Sequence, residues 1–192
     1  PQLKDLDNYE IVWQNTSKII PIRKKTNKPF AAVVNIIKQY KAANYKLEVD
    51  VKGKMEISEE AYFFINSVKA ISDIIDNAGL LDSEVKVICS DNLRNRDILG
   101  DISISKASDD NKPFTFVTSK SFVGTDFYSK TGITYIVSNV NKSNTLLDIA
   151  TECFQIAGRI RNVENPFKNR IYHIYNTGAR ELSRQEFDKV VE

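Results

Sequence analysis

Three short segments carry side chains whose types and spacing could do chemistry. The first is the apolar run 61–65 followed by Asn66 and Ser67. The second reads FTFVTSKSFVGTD from Phe114 to Asp126, and the third reads QIAGRIR from Gln155 to Arg161. Hydroxyls and free backbone N–H groups at strand ends and helix starts suit phosphate oxygens, so Ser67, Thr118 and Ser119 are candidates to grip a nucleic-acid backbone. Gly124 lets the chain approach a ligand closely, and Asp126 can accept a hydrogen bond from a ribose hydroxyl. Simpler roles exist for each. Ser67 suits a helix N-cap, Gly124 to Asp126 suit a turn, and Arg159 and Arg161 suit a helix C-terminus, worth ~0.3–1 kcal/mol each.

Other chemistries find no residues to carry them. No GxxxxGK[ST] phosphate loop occurs, and none of the seven glycines forms a GxGxxG fingerprint. No acidic pair follows an apolar strand in the way that would hold Mg²⁺ beside a phosphate loop, and no metal site is expected. The single His173 lies inside a predicted strand without companions for a triad and is read as structural. Asp109 and Asp110 stand in loop composition. Cys89 and Cys153 both sit in apolar runs and are read as reduced core residues of a cytoplasmic protein. The basic run Ile22, Arg23, Lys24, Lys25 with Lys28 reads as a solvated loop, and Arg94, Arg96 and Asp97 as the outer face of a short helix.

The elements that must position these residues alternate along the chain. Runs at 61–65, 85–89, 114–117, 133–137 and 171–175 have strand length and are rich in β-branched or aromatic residues. The first is continuously apolar, as a strand covered on both faces must be. Val68, Ile71, Ile75 and Ala78 form one helical stripe with Gly79 placed to end it. Leu146, Ile149, Ala150, Cys153, Phe154 and Ala157 predict a second helix over 145–157, with Thr145 and Asp148 as a capping-box-like start and Gly158 as its stop. Strands alternating with helices predict an α/β domain built on an open parallel sheet with helices on both faces. Upstream, Asn27, Pro29 and the stripe Phe30, Val33, Val34, Ile37, Tyr40 predict a capped helix, and alternation around Lys52-Gly53 predicts a hairpin. The segment 95–112 reads as a short helix and a surface loop. The division expected is an N-terminal extension, 1–57, packing on a main domain, 58–192.

At 192 residues and 42% hydrophobic, the chain can bury one sizeable core with at most an appendage. Its formal net charge of +2 gives no global nucleic-acid signal, so any electrostatic binding needs a local stripe. No apolar run is long enough for a transmembrane helix. The polar opening at Pro1 and the abrupt end suggest a piece of a longer protein.

Taken together and in order, the three segments resemble motifs IV, V and VI of the second RecA-like domain of superfamily-2 DEAD/DEAH-type helicases, over roughly residues 61–175. The resemblance implies a RecA-like domain without its own phosphate loop, paired with an N-terminal RecA-like ATPase domain that holds ATP and Mg²⁺. Gly124, Asp126 and Gly158 would then border the nucleotide, and Gln155 would help orient its γ-phosphate end. Arg159 matches the first motif VI arginine, of the kind that supplies roughly 10³–10⁵ in rate when inserted from a neighbouring domain. The family usually places its second arginine three positions later, where this chain has Asn162, so Arg161 departs from the pattern. DNA or RNA would be the track, and the isolated chain would not hydrolyse ATP. Two rivals stand beside this expectation: a non-catalytic RecA-like module that binds nucleic acid or protein, and a flavodoxin-like fold with a small ligand. The helicase expectation requires the arginines to share one rim of the sheet with Thr118 and Asp126, free of internal ion pairs.

Overall fold

Every residue of Phe114–Val117 and Gly132–Ser138 is buried, as happens when a sheet is covered on both faces. The computed structural model describes residues 19–122, 124–148 and 151–178. Its strands are β1 (Ile20–Lys25), β2 (Leu47–Val51), β3 (Lys54–Ser58), β4 (Glu60–Phe64), β5 (Val85–Ile88), β6 (Phe114–Val117), β7 (Gly132–Ser138) and β8 (Arg170–Tyr175). Its α-helices are α1 (Pro29–Ala42), α2 (Val68–Ala78), α3 (Leu93–Leu99) and α4 (Glu152–Ala157). Six strands form one sheet in the order β1-β8-β7-β4-β6-β5, and every pairing in it is parallel. The expected open parallel α/β sheet is therefore the architecture, consistent with a RecA-like fold.

Period-two alternation divides the strand side chains between two layers. Ala61, Phe63, Phe114, Phe116, Ile133 and Tyr135 join Val33, Ile37 and Tyr40 of α1 and Ile71, Ile74 and Ile75 of α2 in one core. Phe63 stacks between Phe116 and Tyr135, with ring centroids 5.2 and 5.0 Å away. On the opposite face Tyr62, Phe64, Val117 and Ile136 meet Phe122, Phe127, Ile156 and Ile160. Much of that cover is loop rather than helix. The connection from β6 to β7 crosses over β4, where Phe127 lies 4.9 Å from the Tyr62 ring.

Local signals held in some places and shifted in others. Ser67 caps α2 by accepting from the Ala70 N–H at 3.3 Å, and Gly79 closes the helix in the left-handed conformation. The hairpin of β2 and β3 turns at Lys52-Gly53, both with positive φ. Pro29 opens α1, but no side chain caps it. The predicted 145–157 helix is much shorter. A 3-10 turn occupies Ser143–Thr145, and Thr145 is buried against Asn139 and Lys142 instead of capping. Ahead of α4, Asp148 accepts from the Thr151 N–H at 2.9 Å and Glu152 accepts from the Asp148 N–H at 2.9 Å, while the N-cap position itself, Thr151, makes no side-chain capping bond. Ile149 and Ala150 lie outside the described residues. Leu146 and Phe154, assigned to the buried stripe, are 49% and 64% exposed, and Ile156 takes the core position.

The basic run is not a loop. Residues 20–25 form β1, which among the described residues pairs with β8 alone and so makes the edge of the sheet. An edge strand needs a single hydrogen-bonding partner, so it accepts Pro21 and keeps Arg23, Lys24 and Lys25 in solvent. Charge masked a strand that alternation alone did not reveal.

Candidate functional site

Two clusters emerge, joined by one loop. The first is a groove of about 380 Å³ at the carboxyl ends of β4, β5 and β6. The strand order reverses here: β5 and β6 lie on one side of β4, and β7 and β8 on the other. Such a switch point opens a crevice in a parallel sheet. Asn66 holds its walls together. Its Oδ1 accepts from the Ser119 hydroxyl at 2.6 Å and the Ser119 N–H at 3.3 Å, and its carbonyl accepts from Asn144 Nδ2 at 2.7 Å.

All three hydroxyls expected to grip phosphate border this groove, but each is engaged internally. Ser67 caps α2 and Ser119 donates to Asn66. Thr118 is buried, with its hydroxyl donating to the Ile88 carbonyl at 3.4 Å. Three exposed cations also line the groove: Arg94, read from the sequence as solvent-facing, and Lys69 and Lys120, to which the sequence reading gave no role.

The second cluster lies on the other face of the sheet. α4 stops at Ala157, and the chain continues extended through Ile160, which forms an isolated parallel bridge with Phe127. Phe127 N–H donates to the Arg159 carbonyl at 2.8 Å, and Arg161 N–H donates to the Phe127 carbonyl at 2.9 Å. Phe127 and Ile160 turn inward. In an extended segment residues two apart share a face. That is why Arg-x-Arg spacing, out of step with a helix, brings both guanidiniums to one carboxylate. Arg159 Nη1 lies 3.4 Å and Arg161 Nε 3.0 Å from Asp126 Oδ1. Asn162, at the family's second arginine position, accepts from the Glu164 N–H and makes a turn.

The two arginines are not equivalent. The Arg159 side chain is 11% exposed, and its Nε has no hydrogen-bond partner among the described residues. The Arg161 side chain is 51% exposed and folds back towards Gly158, whose substituted Cβ would meet its Nη1 at 3.6 Å. Gln155 is exposed on α4. Gly124 has φ +79°, a conformation in which glycine is unstrained.

The requirement for a single rim is not met. Arg161 lines a groove of about 250 Å³ with Gly158, Lys168 and Asn169, just before β8 begins, whereas Thr118 lies past the end of β6. Both arginines are also in ion pairs with Asp126. Gly158, Arg159, Arg161 and Asp126 come together; Ser67, Thr118 and Ser119 come together elsewhere. The loop 118–131 links the two.

Elsewhere the isolated ionisable groups are structural. His173 meets the Ser138 hydroxyl at 3.1 Å, and burial holds its ring below the usual histidine range. Lys86, buried in β5, donates to the Ala107 and Asp109 carbonyls at 2.8 and 2.5 Å and pins the loop before β6. A lone lysine inside the apolar run 85–89 was the visible signal for that role. Cys89 and Cys153 are free thiols. Among the described residues no three His, Cys, Asp or Glu side chains come together to hold a metal ion, and no helix is long and apolar enough to cross a membrane.

In comparisons with known proteins, no family model matches the chain and no curated protein is significantly similar to it.

Proposed function

We propose that this chain is the second RecA-like domain of an ATP-driven helicase or translocase that works without the single shared rim its motifs imply. Nucleotide and nucleic acid would meet it on two separate surfaces joined by the loop 118–131, and the ion pair between Arg161 and Asp126 would open when nucleotide arrives. The observation that carries this reading is the seating of Arg161 beside Asp126 by the Phe127–Ile160 bridge. An exposed pair of this kind is worth about 0–1 kcal/mol, so Arg161 can leave Asp126 for a phosphoryl oxygen at little cost. Arg159 cannot do so as cheaply, because its side chain is nearly enclosed. Arg161 is thus the finger, and Arg159 the strut that holds Asp126 in place. This reverses the order of preference that motif spacing suggested.

A cytoplasmic partner domain would hold ATP and Mg²⁺, because this chain lacks the phosphate loop and the acidic strand end. ATP supplies the phosphoryl group whose charge Arg161 would neutralise. Asp126, released from Arg161, would be free to accept a ribose hydroxyl, and Gln155 would border the same surface. A shift at Asp126 would reach Ser119 and the groove through eight residues or fewer of the connecting loop.

The test is Arg161→Ala in the complete protein with its ATPase domain present. Nucleic-acid-stimulated turnover should fall by roughly 10³–10⁵, with nucleic-acid affinity retained. Turnover within twofold of the parent in a folded variant would refute the finger. Stoichiometric ATP hydrolysis by the pure 192-residue chain would contradict the division of labour.

A second reading is favoured by the burial of Arg159 and the pairing of both arginines: a RecA-like module that binds nucleic acid without turnover. In that case the complete protein shows no nucleic-acid-dependent ATPase to lose.

A further inference from the structure

We infer that the switch-point groove binds a phosphodiester backbone through Arg94 and Lys120, assisted by Lys69, and that Ser67, Thr118 and Ser119 build the groove without contacting ligand. The inference rests on the nucleic-acid part of the proposed function and reassigns its residues. Arg94 and Lys120 make no ion pair among the described residues. Lys69 is paired with Asp73 at 2.9 Å on the outer side of α2, so its share is smaller. Among the described residues no carboxylate lines the groove. Asp91, beside the lining residues Ser90 and Asn92 and within electrostatic reach of Lys120, is held by Arg96 through Nε at 2.7 Å and Nη2 at 2.8 Å.

The hydroxyls have other work. Ser119 and Asn66 tie the loop after β6 to the loop after β4, and Asn144 ties in the loop after β7. These bonds fix where Lys120 stands relative to Arg94. A chain with a net charge of only +2 thereby presents a local cationic stripe.

The lining also sets the mode of recognition. Among the described residues no aromatic ring lines the groove, so these offer no platform for base stacking. It reads the backbone and ignores base identity.

The test measures anisotropy of labelled 20-mers of mixed-sequence DNA and RNA with the 192-residue chain, across a salt series. Arg94→Glu with Lys120→Glu should weaken binding at least tenfold. For single strands the log–log salt slope falls by roughly 0.7 per lost contact, so neutralising Arg94 and Lys120 to Gln should reduce it by about 1.4. Ser67→Ala should leave affinity within twofold once its stability loss is matched by working well below its melting temperature. Oligonucleotides of different base composition should bind equally, and inorganic phosphate at millimolar concentration should compete poorly. Unchanged affinity and slope in the folded Gln variant would overturn the inference, as would a strong base preference. Arg161→Ala serves as the separator, since it should abolish turnover in the complete protein while leaving this binding intact.

Discussion

Asp126→Ala distinguishes a strut from a finger by the energy each arginine loses. Removing one partner of a fully buried pair costs about 3–5 kcal/mol, because the other charge is left uncompensated. Arg159 is nearly enclosed, but Asp126 keeps 38% of its side chain in solvent and the contact is 3.4 Å long. Screening through that exposed carboxylate reduces the expected loss to about 1–2 kcal/mol. For a chain of this size that lowers the melting temperature by roughly 3–6 °C. A double-mutant cycle apportions the loss. With Arg159→Met, which keeps the stem and removes the charge, Asp126→Ala should cost only the ~0.5 kcal/mol of the remaining Arg161 pair, giving a coupling of about 1 kcal/mol. The same cycle with Arg161→Met should give ~0.5 kcal/mol or less, because that guanidinium is already half in water. Urea unfolding followed by circular dichroism supplies all the values. Coupling as large to Arg161 as to Arg159, or none to either, would refute the assignment of roles.

Gly132→Ala should destabilise by about 1–3 kcal/mol or more, because the new methyl would collide with the Tyr62 ring and approach Ser129 Oγ at 2.7 Å; thermal melts check it. Lys86→Met should cost about 2 kcal/mol, since the Ala107 and Asp109 carbonyls lose a charged donor, and hydrogen exchange should rise in 105–112. His173 carries a pH signature. Burial lowers its folded pKa, so the unfolded chain binds the proton first. Its contribution is flat above about pH 6.5, stability falls as pH drops from there towards the depressed value, and the effect then levels off. His173→Gln should flatten that part of the stability–pH curve.

Legibility in the sequence followed the locality of the cause. Apolar runs marked β4 to β8 to within a residue or two, because strands covered on both faces are mostly apolar and the few polar exceptions, such as Lys86, are hydrogen-bonded inside. Pro29, Ser67, Gly79 and Lys52-Gly53 marked boundaries, since their conformational preferences act over three or four residues. β1 was hidden because an edge strand tolerates the composition of a loop. The 145–157 helix was overread, since Leu146 and Phe154 satisfy the helical period without being buried. Thr145 was read as a helix cap, and only the fold shows it bonded to the backbone of Asn139.

The candidate site divides along the same line. The sequence by itself showed hydroxyls at strand ends, and the resemblance of its three segments to an ordered motif set is what grouped Asp126 with the Gly158–Arg161 segment. Tertiary structure alone decided what each group is free to do. The Phe127–Ile160 bridge joins residues more than thirty positions apart, and it makes Arg161 available while enclosing Arg159. Asn66 and Ser119, fifty-three positions apart, consume the hydroxyl that seemed available for phosphate. A side chain's chemistry is written in its identity, but its availability depends on neighbours brought by long-range pairing, and no local pattern encodes them.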